Sequence, residues 1–361
     1  MVREAEALEA FASSIFTAMG AAEEVAAEVA RHLVLSNLSG HDSHGLLRIP
    51  QYVELADSGA LVASARPELI AEGPVTALID AHRGFGHHSC AFALDWCLAK
   101  ASEMGLAGAA VRHANHIGRL GDYAERAAEA GMVCIVTVGS AGQNTGLVAP
   151  FGGTERFLGT NPWAIGVPSS GEPPSGEPPF LFDAATSTIA EGKNKVALAK
   201  GAQLAPGLLL DSAGDPTTDP SRLYEGGSLT ALGGELGGHK GYGLGLAAAL
   251  VGGLAMIGDP DPTAAGTMRV TGEWGGRVAG AFLLVIDPAR FGGRAEYAAL
   301  VSGVLGAARD SRPATGVDSV LVPGDPEVRS RAARRTGGIP LPTTTYAQLA
   351  AVGERFGVPI P

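Results

Sequence analysis

Cysteine is scarce in this chain of 361 residues, which contains three cysteines. Cys90, Cys97 and Cys134 stand in apolar surroundings, and no two of them have the C-x-x-C spacing of a metal or redox motif. Buried free thiols in a reducing compartment are the simplest interpretation of this pattern. The cysteine content therefore predicts a cytoplasmic protein.

Long apolar runs and clusters of basic residues are also missing. The longest apolar segment, from Leu244 to Ile257, is interrupted by glycine and is short for a bilayer span, so it predicts a buried helix and no membrane partner. The formal net charge is −11, and no basic cluster is present that could follow a phosphate backbone. This balance argues against nucleic acid as a partner. The acidic, amphipathic amino terminus is not typical of a secretory signal.

The common nucleotide-binding fingerprints are absent as well. The segment from Gly237 to Gly245 is rich in glycine, but it lacks the order G-x-x-x-x-G-K-[S/T] of a phosphate-binding loop. No G-x-G-x-x-G follows an early strand with an acidic residue about twenty positions further on, as the Rossmann fold requires. Generic motifs thus argue against a nucleotide triphosphatase and give no reason to expect a nicotinamide enzyme.

The composition that remains is that of a soluble, loop-rich enzyme, with 46% hydrophobic residues, 17% charged residues and 52 glycines. Apolar spacing predicts two helices before residue 39, a mixed middle region and further helices near the carboxyl end. The middle region has predicted strands at 75–80, 106–112, 132–138, 180–182 and 282–286 and predicted helices at 89–104 and 123–130. Segment 139–153 is predicted to be a loop, and the Pro/Gly/Glu-rich segment 169–179 an exposed, mobile one. Helices between strands indicate a mixed α/β protein.

One short stretch, residues 39–52, concentrates chemically active side chains. It contains His41, His44, Arg48 and Tyr52, and glycines flank the two histidines. A histidine can move a proton near neutral pH, and the arginine fork fits a carboxylate. These are the parts needed to bind a small acid and transfer a proton. The alternative is an ordinary solvated loop after a helix.

Two H-x-x-H pairs, His41/His44 and His113/His116, keep a metal-dependent hydrolase open as an alternative. In a helix, each pair would place two imidazoles on one face, as a zinc site requires. There is no H-E-x-x-H motif, and no cysteine lies near either pair. We therefore expect no metal. We interpret the other histidines as structural, namely His32, His82, His87 and His88, and the arginines between Arg329 and Arg335 as a solvated helix face.

Eight short segments together resemble the malate/L-lactate/ureidoglycolate dehydrogenase family, which includes L-sulfolactate dehydrogenases, 2,3-diketogulonate reductases and piperideine-2-carboxylate reductases. Each segment is weak alone, but they occur in the family's order and cover nearly the whole chain. The segments are residues 40–45 (GHDSHG), 115–118 (NHIG), 150–153 (PFGG), 159–162 (GTNP), 182–187 (FDAATS), 216–220 (PTTDP), 240–244 (KGYGL) and 322–325 (VPGD).

The resemblance implies a non-Rossmann α/β (α+β) fold whose largely antiparallel sheet binds the cofactor. It implies that residues 1–72 and 296–361 form one discontinuous helical domain and that residues 73–295 form a cofactor-binding domain inserted between them. It also implies a homodimer with the active site close to the subunit interface.

The implied reaction is hydride transfer between NAD or NADP and a small 2-hydroxy or 2-oxo acid. The resemblance points to His44 or His116 as the proton donor, and we favour His44, with His116 against the substrate carboxylate or carbonyl. Asp183 is expected to orient an imidazole or to contact the nicotinamide ribose or amide. Arg48 is the expected carboxylate clamp, and Tyr52 and Ser43 complete the expected substrate contacts.

For the cofactor, the resemblance points to a larger set of residues. Glycine-flanked backbone can approach a pyrophosphate closely, and a lysine supplies compensating charge. The expected cofactor-binding residues are Ser140, Thr160, Asn161, Pro162, Asp183, Ala184, Ala185, His239, Lys240, Gly324, Asp325 and Pro326.

Departures from the family pattern leave the substrate open. The segment 139–146 looks long, the insertion at 169–179 is atypical, and Gly280–Ala281–Phe282 stands where the family often has glycine, histidine and an aromatic residue. A reductase of a cyclic imine acid is therefore an alternative on the same scaffold. A relative that binds a dinucleotide without catalysis is another, although the intact set of His44, Arg48, His116 and Asp183 argues against it.

Overall fold

The structure is a computed structural model that describes residues 1–170, 177–259, 270–271, 273–274 and 277–361. Most of the segment predicted to be a mobile loop, 169–179, lies outside the described residues. The helices are Ala5–Ala18 (α1), Glu23–Leu38 (α2), Ile49–Asp57 (α3), Gly86–Met104 (α4), Leu120–Glu129 (α5), Glu191–Ala199 (α6), Gly234–Gly252 (α7), Arg294–Arg309 (α8), Asp325–Gly337 (α9) and Thr343–Phe356 (α10).

The strands vary from two to ten residues in length. They are Val2–Arg3 (β1), Glu68–Glu72 (β2), Thr76–Asp80 (β3), Leu106–Arg112 (β4), Val133–Gly142 (β5), Trp163–Val167 (β6), Phe180–Ala184 (β7), Leu209–Leu210 (β8), Pro216–Thr217 (β9), Ser228–Leu229 (β10), Val270–Thr271 (β11), Glu273–Trp274 (β12), Arg277–Ile286 (β13) and Ile339–Pro340 (β14).

The largest sheet has seven strands in the order β2-β3-β4-β13-β5-β6-β7. Only β3 and β4 run parallel, and every other neighbouring pair is antiparallel. Helices α4 and α5 pack on this sheet through a core of alanines and β-branched residues, which includes Cys90, Cys97 and Cys134 as buried free thiols. The prediction of a mixed α/β protein with a largely antiparallel sheet is confirmed.

A second core joins the two ends of the chain. Side chains of α1, α2 and α3 pack against Ile339, Leu341 and residues of α10, so the amino- and carboxyl-terminal helices share one hydrophobic cluster. Helix α8 packs instead against Val167 and Phe180 at the far edge of the large sheet. The domain boundaries at residues 72 and 296 stay a prediction.

Helix α7 differs from its prediction in two ways. The glycine-rich segment before Leu244 is helical from Gly234, and the apolar face is exposed rather than buried, with Leu244 50% and Leu250 62% exposed. The glycines serve close packing on the sheet. A Cβ at Gly252 would lie 2.3 Å from the carbonyl oxygen of Gly280, and one at Gly139 would lie 2.4 Å from the backbone of Ala248. Low helix propensity is thus outweighed by the need for close approach.

The other predicted elements agree with the structure to different degrees. Strand β4 and the short helix with Pro50 in its first turn are confirmed. The prediction of a loop from residue 139 is wrong at its start, because β5 continues to Gly142 and carries Ser140. In the part of the chain that the structure describes, no helix is both long and apolar enough to cross a membrane.

Candidate active site

A cavity of about 330 Å³ opens at one end of the central strands. Val111 of β4 and Val138 of β5 both pair with Ala281 of β13, so three strands present their backbones at the same edge. The cavity brings together six of the residues predicted for the site and adds small residues of β5 and β13. The predicted residues are His44, His116, Ser140, Thr160, Asn161 and Pro162.

Two imidazoles from distant parts of the sequence face each other here. The rings of His44 and His116 are nearly parallel, with an interplanar angle of 23° and centroids 5.6 Å apart. His44 ends a short 3-10 turn after α2, whereas His116 lies in the loop that follows β4. The fold therefore joins the second members of the two H-x-x-H pairs rather than the members of either pair.

Ser43 and Arg48 surround His44. The Oγ of Ser43 lies 3.0 Å from Nδ1 of His44. The Nε of Arg48 donates to the carbonyl of Ser43 at 2.7 Å, and its Nη1 donates to Gln51 at 2.8 Å. Within the described chain, Nη2 of Arg48 has no hydrogen-bond partner, so the guanidinium retains donors for an anion.

The environment of His44 favours its neutral form. Burial lowers the pKa of His44 to about 3, and the nearby positive charge of Arg48 acts in the same direction. The pKa of His116 is also well below its usual range, first because of burial and then because of His44 and Arg48. A neutral imidazole can accept a proton, and an anion bound at Arg48 would raise the pKa of His44 again.

His116 is attached to a buried tyrosine. The hydroxyl of Tyr52 lies 2.7 Å from Nδ1 of His116 and 3.3 Å from Nε2 of His87. Tyr52 is 1% exposed and His87 is fully buried. Tyr52, expected as a substrate contact, is therefore placed behind His116, and His87, interpreted as structural, lies one step deeper.

The first histidine of each H-x-x-H pair is held by carboxylates. The Nε2 of His41 lies 2.8 Å from Oε1 of Glu327. His113 has Asp80 at 3.0 Å from Nδ1 and Asp259 at 2.8 Å from Nε2. Burial opposes ionisation of Asp80, but hydrogen bonds from His82, Arg112 and His113 hold its pKa below the usual range.

Asn161 shapes the cavity because its side chain binds the backbone of two neighbouring elements. Its Oδ1 accepts from the N–H of Ser140 at 2.9 Å, and its Nδ2 donates to the carbonyls of Ser140 and Gly245. This side chain thereby connects β5 with α7, and Asn161 adopts a positive φ of 41°. In the described residues the hydroxyls of Ser140 and Thr160 form no hydrogen bonds, which leaves both for a ligand in the cavity.

Asp183, on β7, does not line the cavity but contacts Gly121, which follows the lining residue Leu120. Its Oδ2 accepts from the N–H of Gly121 at 2.7 Å. Burial raises the pKa of Asp183, and the charge of Arg119 and the bond from Gly121 only partly offset this effect. Arg119 is itself 2% exposed and donates to Glu125. Asp183 is therefore a carboxyl group that protonates more easily than a surface aspartate.

The remaining predicted cofactor residues do not line this cavity. His239 and Lys240 are exposed on α7, where the ring of His239 packs edge-on against Phe151. Asp325 begins α9 and pairs with Arg309 at 2.8 Å. The neighbouring Gly324 and Pro326 share that helix start, and Ala184 and Ala185 lie at the end of β7.

A cluster of possible metal ligands lies elsewhere. Among the described residues, Glu28, His32 and Asp122 bring ligand atoms within 4.8 Å of one another. Arg31 donates to both carboxylates, at 2.8 Å and 2.6 Å. A guanidinium already occupies the position that a cation would need, so we interpret the cluster as an ion-pair network. Neither H-x-x-H pair is part of it.

Sequence reasoning missed several parts of the site. His113 was noted only as half of an H-x-x-H pair, yet it lines the cavity with a positive φ of 52°. None of Val138, Gly139 and residues 279–281 is among the predicted site residues, although all of them line the cavity. The sequence pattern that could have indicated this part of the site is the run of small residues Ala279, Gly280 and Ala281 inside a strand.

Comparisons with known proteins identify the family to which the chain is similar. A family model described as malate/L-lactate dehydrogenase matches residues 4–350. The malate dehydrogenase of Pyrococcus abyssi is 34% identical over 96% of this chain and 93% of its own length. The Δ1-pyrroline-2-carboxylate reductase of Ancylobacter novellus is 34% identical over 94% of this chain and 93% of its own length. The sulfolactate dehydrogenase structure from Methanocaldococcus jannaschii has a TM-score of 0.84 at 31% identity, covering 100% and 98% of the two chains.

Proposed function

Because this chain belongs to the malate/L-lactate dehydrogenase family, we propose that it transfers a hydride between NAD or NADP and a small 2-hydroxy or 2-oxo acid. The observation that carries the proposal is the pair of facing imidazoles, His44 and His116, in one cavity with Arg48 beside them. The reaction needs one proton-transfer group, one donor to the substrate oxygen and one clamp for the carboxylate. These three residues supply the three parts.

The cavity suits the reacting end of a nicotinamide cofactor together with a small acid. Its volume is near the lower end of ligand pockets, which span roughly 300–1,000 Å³. Ala279, Gly280 and Ala281 give the cavity a wall of small residues, and the hydroxyls of Ser140 and Thr160 remain for polar groups. When bound, the nicotinamide supplies or accepts the hydride. The proposed role of Asp183, on β7, is to orient an imidazole or to contact the ribose or amide of the nicotinamide.

His44 is the proposed proton-transfer residue. In the oxidative direction, its neutral ring takes the proton of the substrate hydroxyl, and in the reductive direction it returns that proton to the carbonyl oxygen. Acid–base catalysis of this kind contributes about 10²–10⁴-fold to the rate. Arg48 binds the carboxylate, and the bound negative charge raises the pKa of His44 toward the range that reduction requires.

A cyclic imine acid is the second candidate substrate. The Ancylobacter novellus relative is named as a reductase of such an acid and is as similar to this chain as the malate dehydrogenase is. The same three residues fit this reaction, because an imine acid also presents a carboxylate and an acceptor that needs a proton.

The exposed face of α7 supports a homodimer. Leu236 is 96% exposed, and Leu244 and Leu250 lie on the same helix with half or more of their surface exposed. Apolar residues that recur along one helix are commonly buried by a partner. Sedimentation velocity of the purified protein tests this proposal, and a monomer at micromolar concentration would contradict it.

The experiment that tests the function is a nicotinamide absorbance assay with NADH and NADPH. The panel contains pyruvate, oxaloacetate, sulfopyruvate, 2,3-diketogulonate, pyrroline-2-carboxylate and piperideine-2-carboxylate, with ureidoglycolate in the oxidative direction. We expect turnover with at least one acid, and that result also names the cofactor. Dinucleotide binding without any turnover would favour the non-catalytic relative. No binding of either dinucleotide would refute the proposal.

A further inference from the structure

The hydroxyl of Tyr52 lies between two imidazoles in a place that bulk water does not reach. It is 2.7 Å from Nδ1 of His116 and 3.3 Å from Nε2 of His87. A phenol has one proton, so it can donate to only one of these nitrogens and must accept from the other. The tautomers of His87 and His116 are therefore coupled through a single hydroxyl group.

His87, Tyr52 and His116 each carry one proton that can form a hydrogen bond within this series. Burial raises the pKa of Tyr52, so the phenol stays protonated. Burial also keeps the pKa values of His87 and His116 well below their usual range, so each ring carries a single N–H. Two arrangements remain: Tyr52 donates to His116 and accepts from His87, or the reverse.

The distances favour donation to His116. An O–H donor gives heavy-atom separations near 2.7–2.8 Å, whereas an N–H donor gives about 2.9–3.0 Å. The short contact to His116 thus fits the phenol proton, and the longer contact to His87 fits a weak N–H donor.

The environment of Nδ1 of His87 also favours donation from Tyr52 to His116. Its Nδ1 has no hydrogen-bond partner in the described residues. If Nε2 carries the proton, this nitrogen is a bare acceptor; in the reverse arrangement it would be a buried N–H without an acceptor. Orphaned buried N–H groups are the rarer case in folded proteins.

We infer that Tyr52 is a positioning residue that holds His116 in the tautomer with its proton on Nε2, and that His87 fixes the direction of the phenol. This inference rests on the proposed function for its catalytic meaning. With the proton on Nε2, neutral His116 is a hydrogen-bond donor to the oxygen on the reacting carbon and cannot take that oxygen's proton. Proton transfer is then left to His44.

His44 has a different kind of partner, which suits that division of roles. The Ser43 hydroxyl at its Nδ1 has no second imidazole to fix its direction, and Ser43 is only half-buried. A serine hydroxyl can rotate and either donate or accept. His44 can therefore change its protonation during turnover, while His116 keeps one tautomer.

The decisive variant is Tyr52→Phe, with Tyr123→Phe as the matched control. Both tyrosines are buried, but the hydroxyl of Tyr123 donates to the carbonyl of Ile117 at 2.6 Å rather than to an imidazole. Loss of an orienting partner typically costs about 10–100-fold in activity. We expect Tyr52→Phe to lose turnover by that factor with little change in KM for the acid, and Tyr123→Phe to retain most of its turnover.

The direct readout is the ¹⁵N spectrum of histidine-labelled enzyme, with the His116 signals assigned from a His116→Gln variant. We expect wild-type His116 to be protonated on Nε2 and bare on Nδ1, and Tyr52→Phe to show the Nδ1–H tautomer in addition. His87→Gln retains an N–H near the position of Nε2 and should preserve turnover, whereas His87→Leu should lose it as Tyr52→Phe does.

Two results would overturn the inference. One is an Nδ1–H tautomer of His116 in the wild type, and the other is an unchanged spectrum in Tyr52→Phe. Because the spectrum needs no substrate, it tests the inference even if the acid panel gives no turnover. If Tyr52→Phe does not fold, 3-fluorotyrosine at position 52 acidifies the phenol instead. A stronger phenol donor should then shift the Nδ1 signal of His116, and no shift would contradict the proposed donation.

Discussion

The two H-x-x-H pairs have the same spacing, yet their members differ in a consistent way. His41 and His113 come first in their pairs and contact carboxylates, namely Glu327 for one and Asp80 with Asp259 for the other. His44 and His116 come second, contact hydroxyl groups and face each other in the cavity, which His113 also lines. An ionised carboxylate can only accept a hydrogen bond from an imidazole, whereas a hydroxyl can donate or accept one. In each pair, the spacing of three residues therefore separates an anchoring histidine from a working one.

The largest effect should come from replacing the working histidine of the first pair, compared with replacing its anchoring histidine. We expect His44→Gln to lower turnover by about 10²–10⁴-fold, the range for loss of a general acid–base group. His41→Gln is the control, because it removes an imidazole three positions away whose hydrogen bond in the described part of the chain is to Glu327. NADH affinity by fluorescence titration should be unchanged in both. Equal turnover in the two variants would remove His44 from the mechanism.

In the second pair, the anchoring histidine should matter most for stability. His113→Phe removes the imidazole that contacts both Asp80 and Asp259, and loss of one member of a buried ion pair costs up to about 3–5 kcal/mol. His116→Phe removes one of the two imidazoles next to the Tyr52 hydroxyl and leaves His87, so we expect it to cost about 0.5–1.5 kcal/mol, the net value of one hydrogen bond. Urea unfolding of both variants measures the difference. A smaller loss for His113→Phe than for His116→Phe would contradict the comparison.

The pH dependence of stability should report the burial of His44. Folding lowers the pKa of His44 from 6.5 to about 3, so the unfolded chain binds a proton between these values that the native chain does not. Stability should therefore fall as the pH decreases below about 6.5. Each such proton adds a slope of at most about 1.4 kcal/mol per pH unit. Urea unfolding between pH 7 and pH 4 should give a shallower slope for His44→Gln than for wild type, and identical slopes would place a charged His44 in the native protein.

The smallest effect should come from the anchor of the first pair. His41 is about one-third exposed, and ion pairs near the surface contribute about 0–1 kcal/mol. Glu327→Gln should therefore change the free energy of unfolding by less than about 1 kcal/mol. Turnover should remain near the wild-type level. A loss as large as that of His113→Phe would show that both anchors are equally essential.

Several elements could be predicted because their causes are local. Strand β4 matches its prediction because a continuous apolar run between Gly105 and polar residues indicates a buried strand. Helix α7 could not be predicted in full, because glycine disfavours helices. The close contact that favours glycine at Gly252 is with Gly280, which lies in β13 and is distant in sequence. The same limit applies to Asn161, whose side chain binds the backbone of Ser140 and Gly245.

The sequence by itself determined which chemical groups are available: two histidines in short glycine-flanked segments, an arginine four residues after His44, and the motifs of the family. Only the tertiary structure decided which histidine meets which partner. Tyr52 is 64 positions from His116, Asp259 is 146 from His113, and Glu327 is 286 from His41. Contacts across such separations depend on how the sheet and the terminal helices pack, and that packing sets burial, pKa and tautomer together. The difference between an anchoring and a working histidine is therefore a property of the fold.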